Sequence, residues 1–371
     1  MIKPVANYIP HEAIWIESDS DFELYNFSGD GTENNPYIIE NYYISSEHYD
    51  NGIKIKDTSK YFIIKNCYFN ETKGVNIEDV ADETMVIRNN IFNSGGIKVY
   101  YTSYGFIENN YYDTLAAQSE FYIEIHDSTY LSVINNTCGF GFSGMLIDSS
   151  NNLLIQNNTF VNTNYSGMHL RYVQDSHIDN NLCKNNSNSG ILLYKCSFNT
   201  LTNNTCLLNK YGIFCGPDYY LKSNSYSSMK SDRFLDDLRT NNTLIENHLE
   251  NNTSFGVFLG SLYSNSLLYH NYFIDNNLEG TSQGCDNGTN NLWYNAELLE
   301  GNFWNDWTGT GGYHIEGSAN AIDYYPLWDG FFGSFSSHNA NNASLLLLFV
   351  FCPIIILVKR LSRRKGSLKK N

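Results

Sequence analysis

Carboxylate, imidazole and guanidinium side chains recur at matching positions in the middle of the chain. Glu124 and His126 stand two residues apart, and His169 and Arg171 repeat that spacing. A carboxylate pair ~5–10 Å apart can serve glycoside hydrolysis, and a histidine or an arginine can act on the acidic proton of a uronate sugar. These residue types predict a ligand groove for carbohydrate, whose candidate residues are Glu124, His126, Asp148, His169, Arg171, Tyr100 and Tyr194.

Apolar residues alternate with these polar ones, which predicts short β-strands whose polar side chains point outward. One outward row then holds Lys54, Asn76, Lys98, Glu124, Leu146, His169, Leu192 and Phe214. A second row holds Lys56, Glu78, Tyr100, His126, Asp148, Arg171 and Tyr194. Side chains on neighbouring strands lie ~5 Å apart, so the candidates form one patch. The alternative interpretation is a cross-strand charge ladder on a solvated sheet, in which each exposed pair contributes only tenths of a kcal/mol.

Asparagine pairs mark an internal repeat that positions these strands. Steps of 23, 20, 26, 22, 23, 23 and 44 residues separate Asn66, Asn89, Asn109, Asn135, Asn157, Asn180, Asn203 and Asn247. A unit of 22–23 residues cannot bury its own apolar face, so its copies must stack. Three short strands per coil, stacked ~4.8 Å apart, make a parallel β-helix. Asparagine tolerates the left-handed backbone of a tight turn, and we expect each one to hydrogen-bond to its copy on the next coil.

Inward-pointing residues are expected to stack into columns along the core. One column holds Phe69, Phe92, Tyr112, Cys138, Phe160, Cys183 and Cys206, and another holds Ile55, Ile77, Val99, Ile125, Ile147, Leu170, Leu193 and Cys215. Free cysteine packs as a small hydrophobe. Cys183 and Cys206 lie one coil apart, which leaves a disulfide between them as an alternative. No Cys/His spacing of the zinc type occurs, and soft ligands for copper are not gathered outside the core, so we predict no metal and no cofactor.

The asparagine-rich coils and two flanking segments resemble the NosD-like group of the pectin-lyase-like superfamily. FSGDGTENNPYIIE (27–40) is similar to its entry segment, and GNFWNDWTGTGGYHIEGSANAIDYYPLW (301–328) is similar to its terminal segment, without the Asp-rich run that suggests calcium. The resemblance implies an all-β, single-stranded, right-handed parallel β-helix of about 9–11 coils of 22–23 residues. Family members include a copper-site maturation factor for nitrous oxide reductase and sugar-processing enzymes, so the resemblance says more about fold than about function.

The predicted organisation has an entry segment at 1–40, the β-helix at 41–300, a capping segment at 301–328 and a linker at 329–343. A transmembrane helix at 344–358 and a basic cytoplasmic tail at 359–371 follow. The step of 44 residues reveals an insertion at 216–240, which is either a degenerate coil or a loop beside the groove.

Charge is distributed unevenly along the 371 residues, whose net charge is −16. All 39 acidic residues precede position 330, and 7 of the 23 basic ones fall after Val358, so the body carries 16 − 39 = −23. A body this acidic excludes nucleic acid as a partner. The apolar stretch Ser344–Val358 followed by basic residues predicts a single-pass anchor with the body outside the cell. The given N-terminus shows no export signal, whereas sequons such as Asn26 agree with an outside location.

Three functions fit these features. The first is a membrane-anchored surface protein that binds carbohydrate or surface partners without catalysis, which is the reading we favour because no firm catalytic constellation occurs. The second is a polysaccharide lyase or glycoside hydrolase that acts on the outward sheet face. The third is a NosD-like accessory factor of a membrane transporter in copper-site maturation.

Overall fold

Three short strands per coil wind through the computed structural model, which describes residues 8–328 except 47, 49, 113–120 and 218–239. Over these residues the strands stack in parallel into three sheets of 12, 11 and 10 strands, called sheets A, B and C here. The apolar and polar alternation of each strand turns one side chain inward and the next outward. The parallel β-helix expected from the repeat is therefore confirmed.

Sheet A contains Ile9–His11, Tyr42–Ser45, Tyr68–Asn70, Ile91–Phe92, Tyr111–Tyr112, Thr137–Gly139, Thr159–Val161, Leu182–Lys184, Thr205–Leu207, His248–Glu250, Tyr272–Ile274 and Phe303–Trp304. Sheet B contains Ile14–Ile16, Ile53–Thr58, Gly74–Val80, Gly96–Tyr100, Phe121–His126, Ser143–Asp148, Met168–Arg171, Ser189–Tyr194, Tyr211–Cys215, Phe255–Leu259 and Gly284–Asp286. Sheet C contains Tyr37–Glu40, Phe62–Lys65, Met85–Arg88, Phe106–Glu108, Ser132–Ile134, Leu154–Gln156, His177–Asp179, Thr200–Thr202, Thr243–Ile245 and Leu267–Tyr269.

The core columns lie in the predicted register. In sheet A, Cys183 stands opposite Cys206, and in sheet B, Leu193 stands opposite Cys215. Aromatic members stack face to face, since the ring centroids of Phe69 and Phe92 are 4.7 Å apart. All seven cysteines of the described residues are free and buried, and Cys183 and Cys206 form no disulfide. The cysteines of the columns therefore fill the core as small apolar side chains.

The two asparagines of a pair divide the turn and the buried ladder between them, although the first also bonds to its copy on the neighbouring coil. The first of each pair holds the left-handed turn, as Asn180 does with φ = 53°. The second is buried and forms the ladder: Asn181 donates from Nδ2 to Asn204 Oδ1 at 2.9 Å and accepts from Asn158 Nδ2 at 3.0 Å. Asn247 belongs to this second class, because Glu246 takes the left-handed turn before it. The exposed first asparagine also bonds to its copy, since Asn180 donates from Nδ2 to Asn157 Oδ1, as the sequence predicts. The buried Asn181 bonds through its side chain to the asparagines of both neighbouring coils.

The ends of the core are closed by aromatic side chains. At the start, a 3₁₀ helix at Asp19–Tyr25 buries Phe22, which stacks on Tyr37 at 4.5 Å. At the end, Trp304 lies 4.0 Å from Tyr313. The antiparallel strands Tyr313–His314 and Ile322–Asp323 form this closing segment. Sheets A and B begin at Ile9 and Ile14, so the β-helix starts earlier than the expected boundary at 41.

The insertion at 216–240 adds no coil to the stack. Strand Thr200–Thr202 pairs directly with Thr243–Ile245, so the coils on its two sides are neighbours. Residues 218–239 of the insertion lie outside the described residues, as do the linker, the expected anchor and the basic tail at 329–371. Within the described part of the chain, no helix is long and apolar enough to cross a membrane.

Candidate functional site on the outward face of sheet B

Strand register in sheet B brings the predicted groove residues side by side. His126 stands opposite Tyr100 on one side and Asp148 on the other, and Arg171 stands opposite Asp148 and Tyr194. The other row runs through Lys98, Glu124, Leu146 and His169. All seven candidates therefore share the outward face of five successive coils, as the alternation predicts. Their role as a ligand groove stays a prediction.

Glu124 is the centre of a buried polar cluster. Its Oε2 lies 2.5 Å from Nζ of Lys98, and its Oε1 lies 2.9 Å from Nε2 of His126. Tyr100 donates its hydroxyl to Oε1 at 3.5 Å and stacks on the imidazole of His126, with ring centroids 5.0 Å apart. Lys98 lies in the outward row predicted from the sequence, but its ion pair with Glu124 was not predicted.

Asp148 joins a second ion pair to this cluster. Its Oδ2 accepts a hydrogen bond from Nη2 of Arg171 and lies 3.9 Å from Nδ1 of His126. Ser149 donates its hydroxyl to Oδ1 at 3.1 Å. The cluster holds two carboxylates, Glu124 and Asp148, and two permanent cations, so its charges cancel while His126 is neutral. A charge-balanced cluster is stable only if its members stay paired.

Four of the seven residues of the predicted patch are buried, and Tyr100, Asp148 and Tyr194 are half-buried. Glu124 and His126 are each 4% exposed, Arg171 is 5% exposed and His169 is fully buried. Around His169 the aromatic rings of Phe121 and Tyr165 lie 6.3 and 5.7 Å away. Of the alternative interpretation, a cross-strand charge ladder on a solvated sheet, the cross-strand ion pairs are present. Solvation is not, for the four buried residues. Phe121 begins its strand and Tyr165 lies in the turn before Met168–Arg171, and strand alternation alone does not predict their contacts with His169.

The lowered pKa of Glu124 predicts how the free energy of unfolding depends on pH. Burial alone would raise this pKa, but the hydrogen bond from His126 and the charge of Lys98 outweigh it and lower it from 4.5 to about 2. A carboxyl with a lowered folded-state pKa stabilises the fold above its unfolded-state pKa, and the contribution is lost as the pH falls. We expect the free energy of unfolding to drop between pH 4.5 and pH 2, and to drop less in Glu124→Gln. Urea unfolding across this range tests it, and identical pH slopes for both proteins would contradict it.

An aromatic cleft lies further along the same face and was not identified from the sequence. Its volume is about 560 Å³. Phe214 and Phe258 stand opposite each other in sheet B with ring centroids 5.0 Å apart, and Tyr211 lies 4.7 Å from Phe214. The sequence contains one sign of this cleft, because Phe214 is the last residue of the first outward row. Its neighbour Phe258 follows the insertion, which hid their adjacency.

Metal-binding side chains are not gathered in the described residues. No group of three or more His, Cys, Asp or Glu residues there could hold a metal ion. Copper prefers thiolate, thioether and imidazole ligands, and a thiol must lose its proton to bind. Burial raises the pKa of Cys67 and of Cys196 to about 12, and that of Cys285 to about 11. The described residues therefore do not fit a copper site.

Comparison with known proteins gives a family and several structural likenesses. A family model described as "Periplasmic copper-binding protein (NosD)" matches residues 113–309. No curated protein matches the chain significantly.

Three of the solved structures similar to this chain are those of proteins named for an action on polysaccharides. A double mutant of the periplasmic alginate epimerase AlgG is 15% identical over 76% of this chain and 73% of its own, with a TM-score of 0.47. The mannuronan C-5 epimerase AlgE6 A-module of Azotobacter vinelandii is 13% identical over 77% and 79%, with a TM-score of 0.48. The catalytic domain of a GH87 α-1,3-glucanase is 14% identical over 86% and 58%, with a TM-score of 0.45. At these identities the likeness concerns the fold and extends to no activity.

Proposed function

This chain belongs to the NosD family, and from that membership and the geometry of sheet B we propose that it is an extracytoplasmic β-helix protein that binds carbohydrate without transforming it. The family description is periplasmic, which supports a body outside the cytoplasmic membrane. The proposal includes an anchor at 344–358 with a cytoplasmic tail at 359–371. A surface protein held this way presents the outward faces of its coils to the polymers around the cell.

One observation carries the non-catalytic part of this proposal. Each carboxylate of the buried cluster is already paired with a cation: Glu124 with Lys98, and Asp148 with Arg171. A general acid near neutral pH needs a raised pKa. The pKa of Glu124 lies at about 2, so this carboxyl has no proton to give. The cluster is therefore better suited to fixing the sheet face than to moving protons.

Carbohydrate is supported as the ligand by flat aromatic surfaces on the rigid coils. Tyr104 and Tyr130 are 40% and 46% exposed, and their rings stack 4.5 Å apart with an interplanar angle of 2°. Both hold a left-handed backbone, which a bulky residue adopts only at a cost. Exposed, oriented aromatic faces offer the apolar side of a sugar ring a packing surface.

A lyase or hydrolase is the second candidate, because His126 is hydrogen-bonded to Glu124 at 2.9 Å, as a base oriented by a carboxylate would be. The third candidate, an accessory factor in copper-site maturation, is favoured by family membership alone. It would have to act without copper ligands from the described residues.

An array of neutral and uronate-containing glycans, probed with the full chain, tests the proposal. We expect saturable binding to at least one class of glycan, because the aromatic faces need no induced change to accept a sugar. Heat-denatured protein on the same array controls for adhesion of exposed apolar surface. Equal signals from native and denatured protein, or no binding at all, would contradict the proposal.

A further inference from the structure

We propose that the aromatic cleft of sheet B is a subsite for an acidic sugar, with a uronate as the ligand class. This inference rests on the proposed carbohydrate-binding function and assigns it to a place. The cleft lies beyond the buried charged cluster along the same sheet face. The residues that line the cleft include Asn188, Lys210, Tyr211, Phe214, Phe258 and Ser261.

The floor of the cleft is aromatic and held in place by the sheet. Phe214 is 4% exposed and stacks on Phe258 at an interplanar angle of 17°. Phe258 and Tyr211 are half-buried, and their rings are 5.8 Å apart. Phe255 lies 6.2 Å from Phe258 on the same strand and supports it. Such a surface is apolar, partly open and rigid, which suits the C–H face of a pyranose ring.

The rim of the cleft offers hydrogen-bond donors that the protein does not use. Lys210 is exposed, with Nζ 5.2 Å from the ring centroid of Tyr211, and it forms no ion pair with any described residue. The side-chain amide of Asn188 and the hydroxyl of Ser261 likewise have no hydrogen-bond partner among the described residues. Sugar hydroxyls and ring oxygens are the complement of amide and hydroxyl groups at such a rim.

Charge selects an acidic sugar over a neutral one. The ammonium of Lys210 lies over the ring of Tyr211 and has no carboxylate partner among the described residues. A uronate carboxylate beside the ammonium of Lys210 would supply that partner while its sugar ring packs on the aromatic floor. A charge-assisted hydrogen bond of this kind is stronger than a neutral one.

Calorimetric titration of the full chain with hexagalacturonate and with its carboxyl-reduced neutral counterpart tests the subsite. We expect Lys210→Gln to weaken hexagalacturonate binding about tenfold, by loss of one charge-assisted hydrogen bond, and to leave neutral binding unchanged. Phe258→Leu is expected to weaken both ligands. Lys184→Gln, at an exposed lysine on sheet A, is the matched control and is expected to bind as the wild type does.

Three results would overturn the inference, and they separate it from the function on which it rests. Wild-type affinity for hexagalacturonate in both cleft variants removes the subsite but keeps carbohydrate binding. Binding of other glycans on the array without either hexamer removes the uronate as the ligand class. No binding to any glycan removes the proposed function itself. Lys210 is exposed, so Lys210→Gln is expected to leave the fold intact. It therefore tests the subsite even if Phe258→Leu lowers the thermal midpoint.

Discussion

Replacing Asp148 with alanine is expected to lower the free energy of unfolding by about 3–5 kcal/mol, the cost of breaking a buried ion pair. The side chain of Arg171 is only 6% exposed and that of Asp148 is 13% exposed. Without Asp148 the guanidinium stays in a poorly hydrated position and loses this carboxylate. Urea denaturation of the two proteins at pH 7 measures the difference, provided that both unfold in a single transition.

A second cross-coil ion pair, which is more exposed to solvent, serves as the control for the effect of burial. Glu40 and Lys65 also stand opposite each other on neighbouring coils, at 3.0 Å, but their side chains are 38% and 25% exposed. Glu40→Ala is therefore expected to cost less than about 1 kcal/mol. Equal losses for Asp148→Ala and Glu40→Ala would show that burial of the sheet B cluster does not determine its energetics.

Replacing Asn181 with alanine is expected to cost about 2–4 kcal/mol, because several buried partners lose their hydrogen bonds at once. The amide donates to the carbonyl of Ile155 at 2.9 Å and to Asn204 Oδ1. Its oxygen accepts from the backbone N–H and from Nδ2 of Asn158, at 2.9 and 3.0 Å. Alanine fills none of these roles: the backbone N–H of Asn158 and the carbonyl of Ile155 lose this partner, whereas Asn204 Oδ1 keeps its bond from the backbone N–H of residue 181.

Asn180→Gly is the matched control in the adjacent position. Asn180 is exposed and has φ = 53°, a backbone conformation that glycine adopts readily. We expect this change to alter the free energy of unfolding by less than about 1 kcal/mol. If the control costs as much as Asn181→Ala, the turn rather than the buried ladder stabilises the coil, and the division of tasks within the asparagine pair is wrong.

Register and core columns could be predicted from the sequence because the repeat constrains them. A shift of one residue would turn every inward side chain outward, so the alternation around Ile125, Ile147 and Leu170 admits a single pairing. The same constraint placed Glu124, His126 and Asp148 on one face. Repetition supplies many copies of one local signal, and the copies reinforce each other.

Burial of the site and the aromatic cleft could not be predicted in this way. Phe121, at the start of a strand, and Tyr165, in a turn, lie beside His169, at positions where coil lengths vary and the repeat does not set the direction of a side chain. The cleft depends on Phe214 meeting Phe258, which stand 44 residues apart because of the insertion. Contacts made by turns and across an insertion depend on side-chain packing in three dimensions, which a periodic pattern does not specify.

Saturation-transfer NMR on the full chain mixed with hexagalacturonate tests the central claim of binding without transformation most directly. The account predicts transfer of saturation to the sugar protons, and a glycan spectrum that is unchanged after prolonged incubation. New signals from a 4,5-unsaturated uronate, a new reducing end or an altered sugar configuration would show that the β-helix is an enzyme. Absence of any transfer would contradict the binding of this sugar.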